Sequence, residues 1–455
     1  MGRICMLDVA IHHAALIDAE KDKAEPMNIG IKAGKIALVT TEQMEAHRVI
    51  DATNLVVTPG FIDVHGHVDG YDYSGELSAC QGITTSVGGN CGLSPVEMGR
   101  FFEEQDRAGF VINQAELVGH SFSLRQAVGI KDPYRRATAK EVSAMEDLAR
   151  NALDEGACGV SFGLDYSPGA SAAEITALAR VCAEYNRIMP IHTRLFTQND
   201  LYSLYEVLAI AKRADVDLLL SHFVYQYGTG IMADALRIVD EAIEQGVRIK
   251  IDSGMYTDWT TFIGTATFDE QTITDNEMRF SDMVVATGKY TGTRLDYALY
   301  KKMREQYPME SVICFMGDKS EVYTALKKSY AMPSTDIGTY KKGEGHPQIA
   351  GSFPKYFKEM VRERKDLSLV EAVKKATVLP AQTFGLKDKG VIKVGYDADL
   401  AVFDFAALED LADFPDRGRP DAKPKGMEYV LVNGELVVDQ GVFTGQRAGK
   451  VIRMK

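Results

Sequence analysis

"RIMPIHTR", residues 187–194, and "VDLLLSH", residues 216–222, each carry a short apolar run that stops at a histidine. Between them, "LYSLYEVLAIAKRAD" (201–215) puts Leu204, Val207, Leu208 and Ala211 on one helical face. Upstream, Ser171 and Glu174 have capping-box spacing, and Ile175, Leu178, Ala179 and Cys182 follow on one face. Downstream, "GIMADALRIVDEAIEQG" (230–246) reads as a helix and "VRIKIDSG" (247–254) as the next strand. Repeated strand–helix units with apolar strands predict an α/β fold with a parallel sheet. Polar residues recur at the carboxyl ends of successive strands. That selects a (β/α)8 TIM-like barrel over an open sheet, because a barrel assembles its site on that rim.

Both ends of the chain have a different texture. "NIGIKAGKIALV" (28–39), "GVIKVGYDADLAVFD" (390–404) and "MEYVLVNGELVVDQGVF" (427–443) are strand–turn–strand patterns with Gly or Asn-Gly at the turns. Neither end alone would bury much of a core. The expected organisation is therefore a small β-sandwich domain built from residues 1–58 and 385–455, with a barrel at 59–384 inserted in it. The stretch 262–310 has weak periodicity and many Thr, Asp and Tyr residues. It is a candidate lid over the barrel mouth or a surface insertion.

Composition narrows the function. The 455 residues carry 64 acids against 51 bases, a net charge of −13, and no basic block, which argues against a nucleic-acid partner. No run of about 18 apolar residues predicts a membrane span. The opening apolar stretches are short and interrupted by Asp8, His12 and His13, unlike a signal peptide. Six scattered cysteines do not form a disulfide framework. The expectation is a cytoplasmic enzyme acting on a small molecule. A multidomain binding protein is the rival, and homo-oligomerisation is left open.

The candidate site begins at "PGFIDVHGHVDG" (59–70). His65 and His67 are i, i+2, so on a strand both imidazoles project from one face, an arrangement suited to a divalent metal. His192 and His222 end two further strands, and Cys91 lies in "TTSVGGNCGLSP" (84–95), where a strand breaks into glycines. Cys91 reads as a buried inert thiol, a nucleophile or a metal thiolate. A thiolate with imidazoles is a reasonable zinc set. Asp336 in "AMPSTDIG" (331–338) is the preferred general base, with Asp318 as its rival. A carboxylate there can take a proton from attacking water and return it to a departing nitrogen. His120 reads either as a pocket residue or as a polar loop residue.

These blocks together resemble the amidohydrolase superfamily and, within it, the N-acyl-D-amino-acid deacylase (D-aminoacylase) family. "VVTPGFIDVHGHVD", "GITTSVGGNCGLSP", "GACGVSFGLDYSPG", "PIHTR", "LLSHF" and "GHPQIAGSFPKYF" are similar to family blocks in family order, over nearly the whole chain. The resemblance implies that Cys91, His192 and His222 hold one zinc tightly. It implies that His65 and His67 belong to a second, weaker metal position, that Asp336 is the base, and that Tyr166 binds the substrate. It implies deacylation of an N-acyl-D-amino acid or related small N-acyl compound, with cyclic-amide ring opening or deamination as the alternative.

The chain departs from the family at "SHFVYQYG", where Val224 stands in the place of a lysine that helps bind the substrate carboxylate, and at "PSTDIG" around the aspartate. No lysine is a convincing candidate for a carboxylated metal bridge. Arg194, Lys319 and Lys341 are the candidate replacement cations, Arg194 first. Metal content provides the check. Cys91→Ala is expected to lose the one tightly held zinc and most activity, while His65→Ala keeps more metal than His222→Ala, as read by metal analysis of the purified variants.

Overall fold

Among the described residues eight short strands, almost wholly buried, form a consecutive parallel set. They are β1 (Phe61–Asp63), β2 (Ile83–Gly88), β3 (Asn113–Glu116, continued at Val118–Gly119), β4 (Val160–Gly163), β5 (Met189–His192), β6 (Leu218–Leu220), β7 (Ile249–Ser253) and β8 (Ala331–Pro333). Each pairs in parallel with the next in chain order. Just beyond its carboxyl end, β8 also returns to β1. Gly66 bridges Ile337 in parallel, the Asp336 N–H donates to the His65 carbonyl at 2.8 Å, and the His67 N–H donates to the Ile337 carbonyl at 2.7 Å. Strands covered on both faces take apolar side chains on both faces, which is why Leu218–Leu220 reads as a continuous apolar run, whereas Asn113–Glu116 is buried with polar residues. The computed structural model describes residues 6–19 and 22–455, so Cys5 lies outside the described residues.

The helices expected from periodicity form between these strands. Ala172–Glu184 opens on Ser171, whose hydroxyl accepts from the Glu174 N–H while the Glu174 carboxylate accepts from the Ser171 N–H. Its apolar face buries Ile175, Leu178, Ala179 and Cys182. The helix Val378–Phe384 stops at Gly385 in the left-handed conformation (φ 63°), the usual way to end a helix and release the chain.

The two ends of the chain share one sheet. Leu400–Phe403 runs antiparallel to Val56–Pro59, which in turn lies beside Leu7–Asp18. Among the described residues a single hydrogen-bonded path joins eight strands from both termini, and a ninth, Ala46–Asp51, pairs with Leu7–Asp18 off that path. Ile11, Leu16, Ile29, Ile31 and Val57 pack with Leu400, Val402 and Leu431 in a core separate from that of the parallel strands. The last residues depart from expectation. After the sheet, the chain returns to the parallel strands, where the Ile452 N–H donates to the Gln114 carbonyl at 2.7 Å and the Met454 N–H to the Gly156 carbonyl at 3.0 Å.

Residues 259–314 are not an irregular loop. Trp259–Phe262, Met283–Val285 and Ser311–Cys314 make a three-stranded antiparallel sheet, and a helix, Tyr297–Gln306, is built into the same insertion. Among the described residues no helix is long and apolar enough to cross a membrane. The five described cysteines are free and buried.

Asp399 ties the terminal sheet to the parallel strands. Its carboxylate accepts from Asn113 of β3 at 2.9 Å, from Lys389 at 2.6 Å and from the Asn433 N–H at 2.7 Å. Removing one partner of a buried, hydrogen-bonded ion pair strands the others. Asp399→Ala is expected to cost about 3 kcal/mol. The predicted readout is a lower thermal unfolding temperature with the metal content unchanged.

Candidate metal centre and cavity

The strand ends converge on the sulfur of Cys91. Cys91 Sγ lies 3.3 Å from His65 Nε2, 3.4 Å from His222 Nε2 and 3.8 Å from His192 Nδ1. Two sets of donor atoms result, His65–His67–Cys91 and Cys91–His192–His222, each within 4.8 Å of one another. Cys91 belongs to both. Asp336 faces the first set, with Oδ1 3.3 Å from His67 Nε2 and 3.5 Å from His65 Nε2.

The backbone turns sharply to achieve this. Cys91 (φ 53°), His222 (φ 33°) and Asp336 (φ 52°) all sit in the left-handed region. For non-glycine residues each such turn costs of order 1–2 kcal/mol, and such residues cluster at functional sites. Around Cys91 two neighbours must be glycine. A Cβ at Gly89 would lie 2.1 Å from the Leu117 carbonyl oxygen, and one at Gly92 would lie 2.5 Å from the Ser121 nitrogen.

Buried carboxylates hold the imidazoles. Asp252, fully buried on β7, accepts from the His222 N–H at 3.0 Å and from the Ser334 hydroxyl at 2.7 Å, and lies 3.4 Å from His65 Nδ1. Asp63 on β1 accepts from the His65 N–H at 3.2 Å, the Thr335 N–H at 3.1 Å and the Thr335 hydroxyl, which fastens β1 to the segment after β8. Burial raises the Asp63 carboxyl to about 6, against those hydrogen bonds. The Gln226 amide sits 3.0 Å from His222 Nδ1. Burial pushes the Cys91 thiol up, yet the charges of His65 and His222 and hydrogen bonds from His192 and His222 bring it well below its ordinary value. For Asp336, burial is outweighed by the hydrogen bond from His67 and the charges of His65, His222 and His67, so its carboxyl lies below the usual range.

The donor set fits a metal. Thiolate and imidazole are zinc's preferred ligands, and tetrahedral zinc with bonds of about 2.3 Å to sulfur and about 2.1 Å to nitrogen separates S from N by roughly 3.6 Å. The observed separations of 3.3–3.8 Å bracket that value.

A cavity of about 1020 Å³, its open mouth included, stands over the cluster. Cys91, His67, His192, His222, Asp336 and Tyr166 all line it. The Tyr166 ring packs on His192 with centroids 4.9 Å apart. Trp259, Thr260, Thr261, Phe262, Thr267 and Ser311 of the antiparallel insertion supply one wall.

Arg194 is a correction to the expected set. Its guanidinium is spent on Glu206 at 2.9 Å and on the carbonyls of Pro168 and Ala170, and it does not line the cavity. Asp318 caps the helix Lys319–Leu326 by accepting from the Ser320 N–H, and it does not line the cavity. His120 is built into a buried cluster, 2.9 Å from Glu174, whose carboxylate also accepts from Arg125.

The sequence reading missed Asp252 and Asp63, although "IKIDSG" carries a polar residue at a strand end, the signal that found the histidines. Outer partners of metal-binding side chains typically contribute 10- to 100-fold in metal affinity. Asp252→Ala is expected to weaken zinc binding by about that factor while leaving the far-UV circular dichroism intact, measured by competition with a chelator.

Residues 56–437 match the amidohydrolase family model. D-aminoacylase of Alcaligenes xylosoxydans xylosoxydans is 30% identical over 98% of this chain and 97% of its own. N-acyl-D-glutamate deacylase of the same organism is 32% identical over 98% and 96%. The crystal structure of N-acyl-D-glutamate deacylase from Bordetella bronchiseptica, complexed with zinc and a phosphonate inhibitor, superposes with a TM-score of 0.87 at 30% identity, covering 99% of this chain and 100% of that one. A D-aminoacylase crystal structure gives 0.88 at 28%, covering 98% and 100%. The protein is a hydrolase of carbon–nitrogen amide bonds, and the chain belongs to the amidohydrolase family.

Proposed function

We propose that the protein is a zinc-dependent deacylase of an N-acyl-D-amino acid or a related small N-acyl compound. The observation that carries this reading is the set Cys91, His192 and His222 at mutual contact distance in the cavity floor, with Asp336 3.3 Å from His67. Cys91, His192 and His222 hold the tight zinc, and His65 and His67 join Cys91 in a weaker second position. When bound, zinc polarises the substrate carbonyl and eases the loss of a proton from water.

The chain's own residues do the rest. Asp336 Oδ1 takes a proton from the attacking water as the new C–O bond forms, then delivers it to the nitrogen as the C–N bond breaks. The products are a carboxylate and a free amine. Tyr166 holds its hydroxyl toward the carbonyl oxygen, and burial, with the charges of Cys91, Asp165 and Asp336 nearby, raises its pKa and keeps it a donor.

The architecture we assign is a (β/α)8 barrel at 59–384 inserted in a small β-sandwich domain from 1–58 and 385–455, with 262–310 acting as a lid. The return of β8 to β1 and the mixed-terminus core support this reading. The absence of a membrane-crossing helix among the described residues accords with a cytoplasmic location.

Asp336→Asn preserves shape and removes the base. Near-normal zinc content with kcat lower by roughly 10² or more is expected. A wild-type kcat in that variant on its best N-acyl substrate would refute the role.

A further inference from the structure

Three carboxylates, Asp69, Asp165 and Asp336, line the cavity, and among the described residues no lysine or arginine does. Arg194, Lys319 and Lys355 are committed elsewhere. Arg194 is bound to Glu206 and two carbonyls. Lys319 is held by Glu359 at 2.8 Å. Lys355 pairs with Asp410 at 3.3 Å and lies over the Tyr256 ring. Lys341 borders an adjoining groove that shares Asp69, Phe262, Ser311 and Thr339 with the cavity, but does not line the cavity itself. Val224 is fully buried against Gly228, with no route to a ligand.

What the wall does offer is neutral or acidic. Thr260, Thr261, Thr267, Thr339, Ser311 and Tyr340 present hydroxyls. Asp165 accepts from Thr267 at 2.7 Å, and Asp69 accepts from the Gly89 N–H at 3.1 Å. A carboxylate taken out of water needs a paired charge or several strong donors. On the wall, away from the imidazoles of the floor, it would meet Asp69 and Asp165 instead. A group bearing N–H or O–H donors would find acceptors ready.

We propose that the amine half of this enzyme's substrate carries no free carboxylate, and that the site takes neutral, donor-bearing N-acyl compounds such as N-acyl-D-amino-acid carboxamides. The proposal rests on the deacylation reading and narrows its substrate class. The preference arises in binding, so it appears in KM more than in kcat.

Matched pairs test it on the zinc-loaded protein: N-acetyl-D-methionine against N-acetyl-D-methioninamide for turnover, and D-methionine against D-methioninamide for binding by calorimetry. The carboxamide is expected to have a kcat/KM at least tenfold higher, mostly through KM, with the same order in calorimetry. Leu195→Arg, which sets a cation in the wall, is expected to shift the ratio at least tenfold toward the acid. An acid that binds and turns over as well as its carboxamide in the wild type overturns the proposal. Tighter binding of D-methioninamide with no cleavage of either N-acetyl compound upholds the charge preference and overturns deacylation instead, so the two fail separately.

Discussion

A single buried sulfur, 3.3 to 3.8 Å from three imidazole nitrogens, is the contact around which the molecule is arranged. A thiolate in that position is unfavourable without partners, and three imidazoles without an anion are equally so. Together they offset each other's desolvation, and the set is shaped for a soft-accepting divalent ion. Cys91 comes from the end of β2, and the imidazoles come from the ends of β1, β5 and β6. They form two neighbouring pairs, β1 with β2 and β5 with β6, separated along the sheet by β3 and β4. The parallel strand order, with the segment after β8 bonded back to the end of β1, brings the two pairs to one point.

The backbone bears a local cost for this convergence. Left-handed turns at Cys91, His222 and Asp336 swing side chains off the strand ends into the space between them. Such conformations persist where the surroundings over-determine them. Here the over-determination is visible. Asp63 binds the β1 end to Thr335, one residue before Asp336, and Asp252 grips the backbone of His222 and the hydroxyl of Ser334. These two carboxylates are as much a part of the centre as the residues that face the cavity.

The chemistry of the floor and the selectivity of the wall come from different parts of the chain. The floor is assembled by parallel strand ends. Much of the wall comes from the antiparallel insertion at 259–314, whose Trp259, Thr261, Phe262 and Ser311 line the cavity. This separation lets one metal-based hydrolysis serve substrates of different charge, because wall residues can vary without disturbing the ligands.

From the amino-acid order alone, the α/β character, the parallel strands, the capping box at Ser171 and the histidine, cysteine and aspartate set were all legible. Each depends on short-range pattern: apolar runs of strand length, helical spacing, and a polar residue where a run stops. The shared sheet of the two termini followed from a similar argument about burial. Arg194 was misjudged because its place in the chain, two residues past His192, says nothing about where a long side chain finds partners. Glu206 and the carbonyls of Pro168 and Ala170 claimed it. Asp252 and Asp63 look like ordinary strand acids until folding sets them against His222 and Thr335. The charge of the cavity wall was likewise beyond sequence, since it is a sum over side chains from distant segments. Local pattern decides which elements form and which chemistry they carry. Which charges are spent in the scaffold and which are left facing the substrate is decided only when those elements pack.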